Sequence, residues 1–386
     1  MTTDLGDPGT RPTPPATLPD TGPERRAATD GFAERAARGL RWLGEALALG
    51  PGFGTAVDAA VPLLFDGWGH RDSRGSDPAD PAARVAPFEY SLVLGDGEPE
   101  LRIFLRPLPP AGNTTALGSW EQGWRILAEL ERQNVATAGR AAVLRDLFRP
   151  VSRKASFGLC LAATVRPDGL SGVKVYLDTL AQGLARNREL VGAALERLGH
   201  GEAWRWLRAH DPASIEVPMP AVFSLDLVDS PAARAKFYTT VTERSAGELE
   251  ERMARLSATA RQSTAALLDA LPAAGPQALA APGVRPTLCW SLTARHPGRP
   301  EDATLYLPFN HYTPHAAPTL ARLGGLLAPA VRGRVEALVA RCAAAAPEGS
   351  AANPFHWAAA KLDRADGELT LYLAADRVDA AARAER

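Results

Sequence analysis

The stretch SFGLCLAATVRPDGLSGVKVYL, residues 156–177, decides how this chain folds. Two apolar-rich runs flank Asp168 and Gly169, a dipeptide suited to a tight turn between antiparallel strands. In the second run Lys174 and Tyr176 alternate with Val173, Val175 and Leu177. That is the period of a strand with one polar and one apolar face. Four other segments read as hairpins: PFEYSLVLGDGEPELRIFLRPL (87–108), PAVFSLDLVDSPAARAKFYTT (220–240), PTLCWSLTARHPGRPEDATLYLPF (286–309) and PFHWAAAKLDRADGELTLYLAA (354–375). They start at nearly even intervals, near Pro87, Ser156, Pro220, Pro286 and Pro354. Between them lie Ala-, Leu- and Arg-rich segments of helical period, such as SWEQGWRILAELERQN and AGELEERMARLSATARQSTAALLDAL. A helical pair from about Asp30 to Phe65 precedes the first hairpin. The unit is helix, helix, strand, strand, five times over.

Such a repeat constrains the fold before any single residue does. A lone hairpin cannot bury its apolar face, so neighbouring units must join into one sheet. Ten antiparallel strands with helices on one side lose their edges by closing into a barrel. Ten also exceeds the eight strands whose interior side chains just fill the lumen, which leaves room for a ligand. An open sheet under a helical layer fits the same periodicity.

Composition narrows the function. The chain has 386 residues, 46% hydrophobic content and a formal charge of −1, so it has a core but no general field for a polyanion. Nucleic acid is excluded as a partner on that ground. Cys160, Cys289 and Cys342 are scattered, odd in number and without metal spacing, which suits a reducing cytoplasm. The start, MTTDLGDPGTRPTPPATLPDTGPE, has no basic n-region or apolar h-region and is expected to be a disordered tail over 1–25. A single domain is expected over 26–378 with a short C-terminal tail at 379–386. No apolar run reaches membrane-span length.

The chemistry lies on the second strands. Of only six tyrosines, Tyr176, Tyr238, Tyr306 and Tyr372 occupy equivalent places in hairpins two to five, in KVY, KFY, TLY and TLY. Arg102, Lys174, Arg234 and Lys236 also lie on or beside second strands, and in hairpins two and three they share a face with a tyrosine. A basic strand face is ordinarily solvated. Three successive repeats carrying it beside tyrosines point inward instead, and cations gathered in a lumen need an anion to meet them. A diphosphate fits, held by charge-assisted hydrogen bonds.

PFEYS, VKVYL, RAKFY and LYLPF, in this order on this repeat, resemble the dimethylallyltryptophan synthase-type aromatic prenyltransferases, in their bacterial form. The resemblance covers most of the chain after the N-terminal tail. It implies an α/β fold of the ABBA type: a PT barrel of ten antiparallel strands, closed and surrounded by helices, in five ααββ repeats. It implies transfer of a dimethylallyl or longer prenyl group from its diphosphate to an electron-rich aromatic ring in secondary metabolism, as in alkaloid biosynthesis. Indole or tryptophan acceptors are the commonest. By motif position Arg102, Lys174, Arg234 and Lys236 would hold the diphosphate, and Tyr176, Tyr238, Tyr306 and Tyr372 would ring the allyl group. Glu89 would accept a hydrogen bond from the indole N–H. Fungal members carry a lysine in the first strand of the second hairpin that helps remove the final proton; FGLCLAATV has none. Thr304 is also shorter than the polar side chain many relatives carry there. Trp290 is a candidate for the acceptor pocket.

Other signals lead away from cofactors. The chain has no Asp-Asp pair of the kind that bridges magnesium to a diphosphate, so neither metal nor cofactor is expected. GPGFGTA (50–56) follows a helical segment and reads as a turn between helices rather than a dinucleotide loop. His311 and His315 flank Pro314 and lack a third ligand. Trp120 and Trp124, four apart on a helix, read as core. The competing readings are a phenol, hydroxynaphthalene or carbazole acceptor, and a non-catalytic barrel that holds an anionic amphiphile. A passive anion binder has no use for Glu89. The expected partners are small molecules alone, with no membrane, in a cytoplasmic monomer or homodimer.

Overall fold

The structure, a computed structural model, describes residues 30–71, 86–95, 97–109, 115–151, 155, 157–216, 222–269, 279, 285–309, 327–345, 353–362 and 368–385. All five hairpins form: β1 Phe88–Leu94 with β2 Glu100–Leu105, β3 Leu159–Arg166 with β4 Gly169–Leu177, β5 Phe223–Asp226 with β6 Ala235–Thr240, β7 Thr287–Leu292 with β8 Asp302–Leu307, and β9 Phe355–Lys361 with β10 Leu369–Ala374. Each strand pairs antiparallel with its sequence neighbours, and β1 pairs with β10 to close a ten-stranded barrel. The open sheet is thereby set aside.

The barrel turns its apolar face outward. Leu101, Ile103 and Leu105 of β2, Val173, Val175 and Leu177 of β4, and Leu369, Leu371 and Leu373 of β10 are buried beneath the helices. The alternate residues, among them Arg102, Lys174 and Tyr372, face the lumen. The hydrophobic core is therefore the shell between barrel and helices, and the interior is free to be polar.

The helices arrive as pairs, with local departures. α1 Phe32–Ala46 and α2 Phe53–Leu64 are joined by the turn that GPGFGTA forms. α3 Ala116–Arg132 is followed by one short helix, α4 Gly139–Ala142. The stretch before β5 holds α5 Asn187–Arg197, α6 Gly201–His210 and the single turn α7 Ala213–Glu216. The long segment after β6 breaks into α8 Ala246–Ala254 and α9 Ala258–Asp269. A helix over Pro329–Ala344 precedes β9; His311, His315 and the Asp366-Gly367 turn lie outside the described residues. Trp120 and Trp124 meet edge to face with centroids 5.6 Å apart, with Trp120 buried, as expected of core.

Two expectations change. Residues 379–385 are not a tail: they belong to the end of a helix, Ala375–Ala384, that buries Val378, Ala381 and Ala382. It is pinned to α1 by Asp379, which accepts from Arg38 Nη2 at 2.6 Å and Arg35 Nε at 3.2 Å, while Trp42 Nε1 donates to Glu385 at 2.9 Å. The first and last described helices thus form one packed layer. The second change is in hairpin two, where the turn falls on Pro167 and Asp168 and β4 begins at Gly169. The register then slips by one between Ala162 and Thr164, because Gly172 takes φ 55°, a left-handed conformation open to glycine. That bulge sits two residues before Lys174.

Gly158 lets α3 lie against the start of β3. A Cβ there would press into the backbone of Ala116 and Trp120. Gly158→Ala is expected to cost about 1–3 kcal/mol as overpacking. Urea denaturation should show a lower midpoint with an unchanged slope; a wild-type midpoint would mean that α3 has room to spare.

Candidate active site

The lumen holds a cavity of about 450 Å³, within the ~300–1,000 Å³ usual for small-molecule sites. Glu89, Arg102, Lys174, Arg234, Lys236, Tyr176, Tyr238, Tyr306 and Tyr372 all line it. The strand face of RAKFY is therefore an inner wall.

Cross-strand pairing assembles the cations. Lys174 lies opposite Asp226, whose backbone N–H donates to Arg234 O, so three charged side chains from one row of the sheet meet. Arg234 Nε donates to Asp226 Oδ2 at 2.7 Å, and Lys174 Nζ stands 3.8 Å from Oδ1. Arg102 is held by Glu100 at 2.9 Å and by Thr164 Oγ1 at 3.3 Å. Lys236, 7% exposed, has no hydrogen bond or ion pair among the described residues. Burial, then repulsion from Arg102, Arg234 and Lys236, drives the Lys174 ammonium well below its ordinary range, against the pull of Asp226. Burial also lowers Lys236. Burial pushes Asp226 up, but Lys174 and Arg234 outweigh it and hold the carboxyl at about 2. This is a site where positive charge is crowded and half-compensated.

The tyrosines form a belt beside it. Ring centroids of Tyr238 and Tyr306 are 5.6 Å apart, those of Tyr306 and Tyr372 5.9 Å, and Tyr176 meets Phe104 edge-on at 5.1 Å. Burial raises all four phenols, which stay neutral and present π-faces.

Glu89, on β1, lies opposite Phe104 and Ala374. It has no hydrogen bond or ion pair among the described residues, and burial alone pushes its carboxyl up to about 7. A carboxylate left this way in a lumen is costly unless a donor from a guest reaches it.

Trp290 is corrected. It lies on the outer face of β7, and its indole Nε1 donates to Ser214 Oγ at 2.9 Å. Ser214 in turn accepts from Arg252 Nη2 at 2.6 Å, and Arg252 is clamped by Asp211 at 2.8 Å. Trp290 thus ties the barrel to α6, α7 and α8. The tryptophan that lines the cavity is Trp357, opposite Tyr372 on β9.

Three more charged residues line the cavity beyond the second-strand pattern, Lys361, Glu368 and Arg106, none of them on a repeated motif. Lys361 Nζ donates to Glu368 Oε2 at 2.8 Å and faces Thr304, whose Oγ1 is buried without a partner among the described residues. Trp357 and Lys361 share a strand face, with Ala359 between them, so alternation in WAAAK was the available signal. Among the described residues no three His, Cys, Asp or Glu side chains gather to hold a metal ion, and no helix is long and apolar enough to cross a membrane.

The tryptophan dimethylallyltransferase family matches residues 82–323 of this chain. Among solved structures, 5-dimethylallyltryptophan synthase from Streptomyces coelicolor is 26% identical, covers 91% of this chain and 99% of its own, and superposes with a TM-score of 0.70. 6-Dimethylallyltryptophan synthase from Micromonospora olivasterospora, in complex with DMASPP and Trp, is 20% identical with a TM-score of 0.73, over 90% of this chain and 98% of that one. AnaPT from Neosartorya fischeri is 14% identical with a TM-score of 0.68, over 89% and 92%. The ten-stranded barrel is the prenyltransferase barrel that the repeat and its motifs resembled. With its match spanning most of the barrel, the chain belongs to the tryptophan dimethylallyltransferase family and is a prenyltransferase.

Proposed function

We propose that this enzyme transfers a dimethylallyl group from its diphosphate to the ring of an indole acceptor of the tryptophan type, without a metal ion. The observation that carries this reading is Lys236: a buried ammonium with no hydrogen bond or ion pair among the described residues, beside Lys174 and Arg234 and two residues along the strand from a tyrosine belt. A diphosphate supplies the missing negative charge. The tryptophan bound by the Micromonospora relative supports the acceptor.

The steps follow from the residue types. The allylic C–O bond breaks and its electron pair leaves on the diphosphate, whose growing charge Arg102, Lys174, Arg234 and Lys236 stabilise more than they stabilise the intact ester. Lys361 and Thr304 Oγ1 lie within the same cavity wall and add donors. The allyl cation is met by the faces of Tyr176, Tyr238, Tyr306 and Tyr372, which stabilise it through their quadrupoles and keep water away. A ring carbon attacks, and Glu89 accepts the indole N–H as positive charge spreads onto that nitrogen. Loss of a proton from the attacked carbon restores aromaticity.

Three outcomes test this. Lys174→Ala or Arg234→Ala should lower turnover roughly 10²-fold with the fold retained, the scale of one lost preorganised contact. Near wild-type kinetics for both would remove the diphosphate from this wall. Turnover should persist in excess EDTA, and loss restored by magnesium alone would refute metal independence.

Glu89 gives the third. Its function needs the carboxylate, so kcat/KM for the acceptor should rise with pH through about 7 and then level. Glu89→Gln should abolish that rise and cut product roughly 10²-fold or more, with affinity for an unreactive diphosphate analogue preserved. Stability should move the other way. A folded carboxyl raised above its unfolded value favours folding below the unfolded pKa and loses that advantage as pH rises through about 7. Above pH 7 the glutamine variant should therefore melt no lower than wild type. A variant that loses diphosphate affinity but keeps acceptor chemistry would reassign Glu89.

A further inference from the structure

We propose that Arg140, on α4 and outside the cavity lining, is a positioning residue for the diphosphate wall: it holds the backbone of Asp226 and Arg234 so that their side chains are set before the ligand arrives. The inference deepens the prenyl-transfer reading and rests on it for the role of Arg234.

Hairpin three is where the wall has least ladder behind it. β5 has four residues, and its pairing with β6 ends at Leu225 and Ala235. Asp226 and Arg234 stand one step beyond that end, yet both side chains belong to the wall. In a regular antiparallel rung, two opposed residues exchange both N–H···O bonds. Here Asp226 N–H donates to Arg234 O at 3.0 Å, as such a rung requires. The return bond is diverted: Arg234 N–H donates to Asp226 Oδ2 at 3.2 Å, the oxygen that Arg234 Nε also reaches at 2.7 Å. The Asp226 carbonyl is thereby left to another donor. Arg140 Nη1 supplies it at 3.2 Å and lies 3.5 Å from Arg234 O. One guanidinium nitrogen spans both carbonyls of the opened rung.

Arg140 is itself held in place. Thr137 N–H donates to Leu227 O at 3.0 Å, and Ala138 N–H donates to Glu131 Oε1 at 2.9 Å, so the approach to α4 is tied to hairpin three and to α3. Beyond α4, Phe148 packs on Phe223 of β5 with centroids 5.5 Å apart. Asp226 also offsets part of the effect of burial on the Arg140 guanidinium, so the two residues interact through charge as well as through the carbonyl. The carboxylate at stake is the one that answers Lys174 at 3.8 Å and Arg234 at 2.7 Å. With Arg140 removed, the backbone that carries it is anchored on one side only, and two cations of the wall lose their common reference. Fixed charge acts on a leaving group through its orientation before the reaction begins.

The test is a double-mutant cycle on ligand binding. Affinity for dimethylallyl thiolodiphosphate is measured by calorimetry for wild type, Arg140→Ala, Arg234→Ala and the double variant, with melting curves to establish that each is folded. Arg140→Ala should weaken binding about tenfold, but less than about twofold in the Arg234→Ala background, because one residue acts through the other. A support that merely stabilised the fold would cost the same in both backgrounds. Arg140→Lys keeps a donor without the planar fork and should bind between wild type and Arg140→Ala. It carries the same cycle if the alanine variant does not fold. Wild-type affinity in Arg140→Ala, or an undiminished loss in the Arg234→Ala background, would overturn the proposal. Wild-type affinity in Arg234→Ala would remove Arg234 from the diphosphate and the proposal with it. If the cycle holds but no prenylated product forms from the true diphosphate and L-tryptophan, the positioning role stands and the transfer reading fails.

Discussion

The pairing of β1 with β10, six residues a side from Glu89 to Leu94, is where the structure is decided. Without it the sheet has two open edges and a polar face that water would fill. With it the same polar face becomes an interior, and Ser91 is brought opposite Tyr372 although the residues are nearly the whole domain apart in sequence. The seam also places Glu89, from the first hairpin, within the electrostatic reach of Tyr372, from the last. Its outer side is covered by the helix Ala375–Ala384 docked on α1, so the first and last described helices guard the closure together.

Closure makes the cations a problem. Three hairpins contribute Arg102, Lys174, Arg234 and Lys236 to one cavity, and a fourth adds Lys361. Water cannot screen them there as it would at the surface, so Arg102, Arg234 and Lys236 weaken the hold of Lys174 on its proton beyond what burial does. Carboxylates answer part of this. Asp226 serves Lys174 and Arg234, Glu100 serves Arg102, and Glu368 serves Lys361. The arrangement orients the basic side chains before any ligand arrives, and Lys236 keeps it short of full compensation. A diphosphate completes a pattern that the acids have already ordered.

The legible part of the sequence was the part written in short-range periods. Hairpins, their second-strand tyrosines and the cations beside them all obey an alternation of two, and each was placed on the correct face. Trp290 was not. Its neighbours in the sequence do not say which side of β7 faces inward; that depends on Tyr238 lying opposite Cys289, a register between strands fifty residues apart. Residues 379–385 form a short, charged segment with no local mark of packing, yet Asp379 and Glu385 are the residues that fasten it to Arg35, Arg38 and Trp42.

By itself, then, the sequence determined five ααββ units, a barrel-sized sheet and a face of cations and tyrosines, since backbone pleat and turn chemistry act over a few residues. Tertiary structure alone decided that Asp226 of hairpin three answers Lys174 of hairpin two, that Trp357 and not Trp290 lines the lumen, and that Glu89 is left without a hydrogen bond or ion pair among the described residues. The physical reason is that inside and outside are properties of the closed barrel. Between hairpins a side chain's neighbour comes from another repeat, as Asp226 comes to Lys174 and Tyr372 to Ser91, and no local pattern in the chain records it.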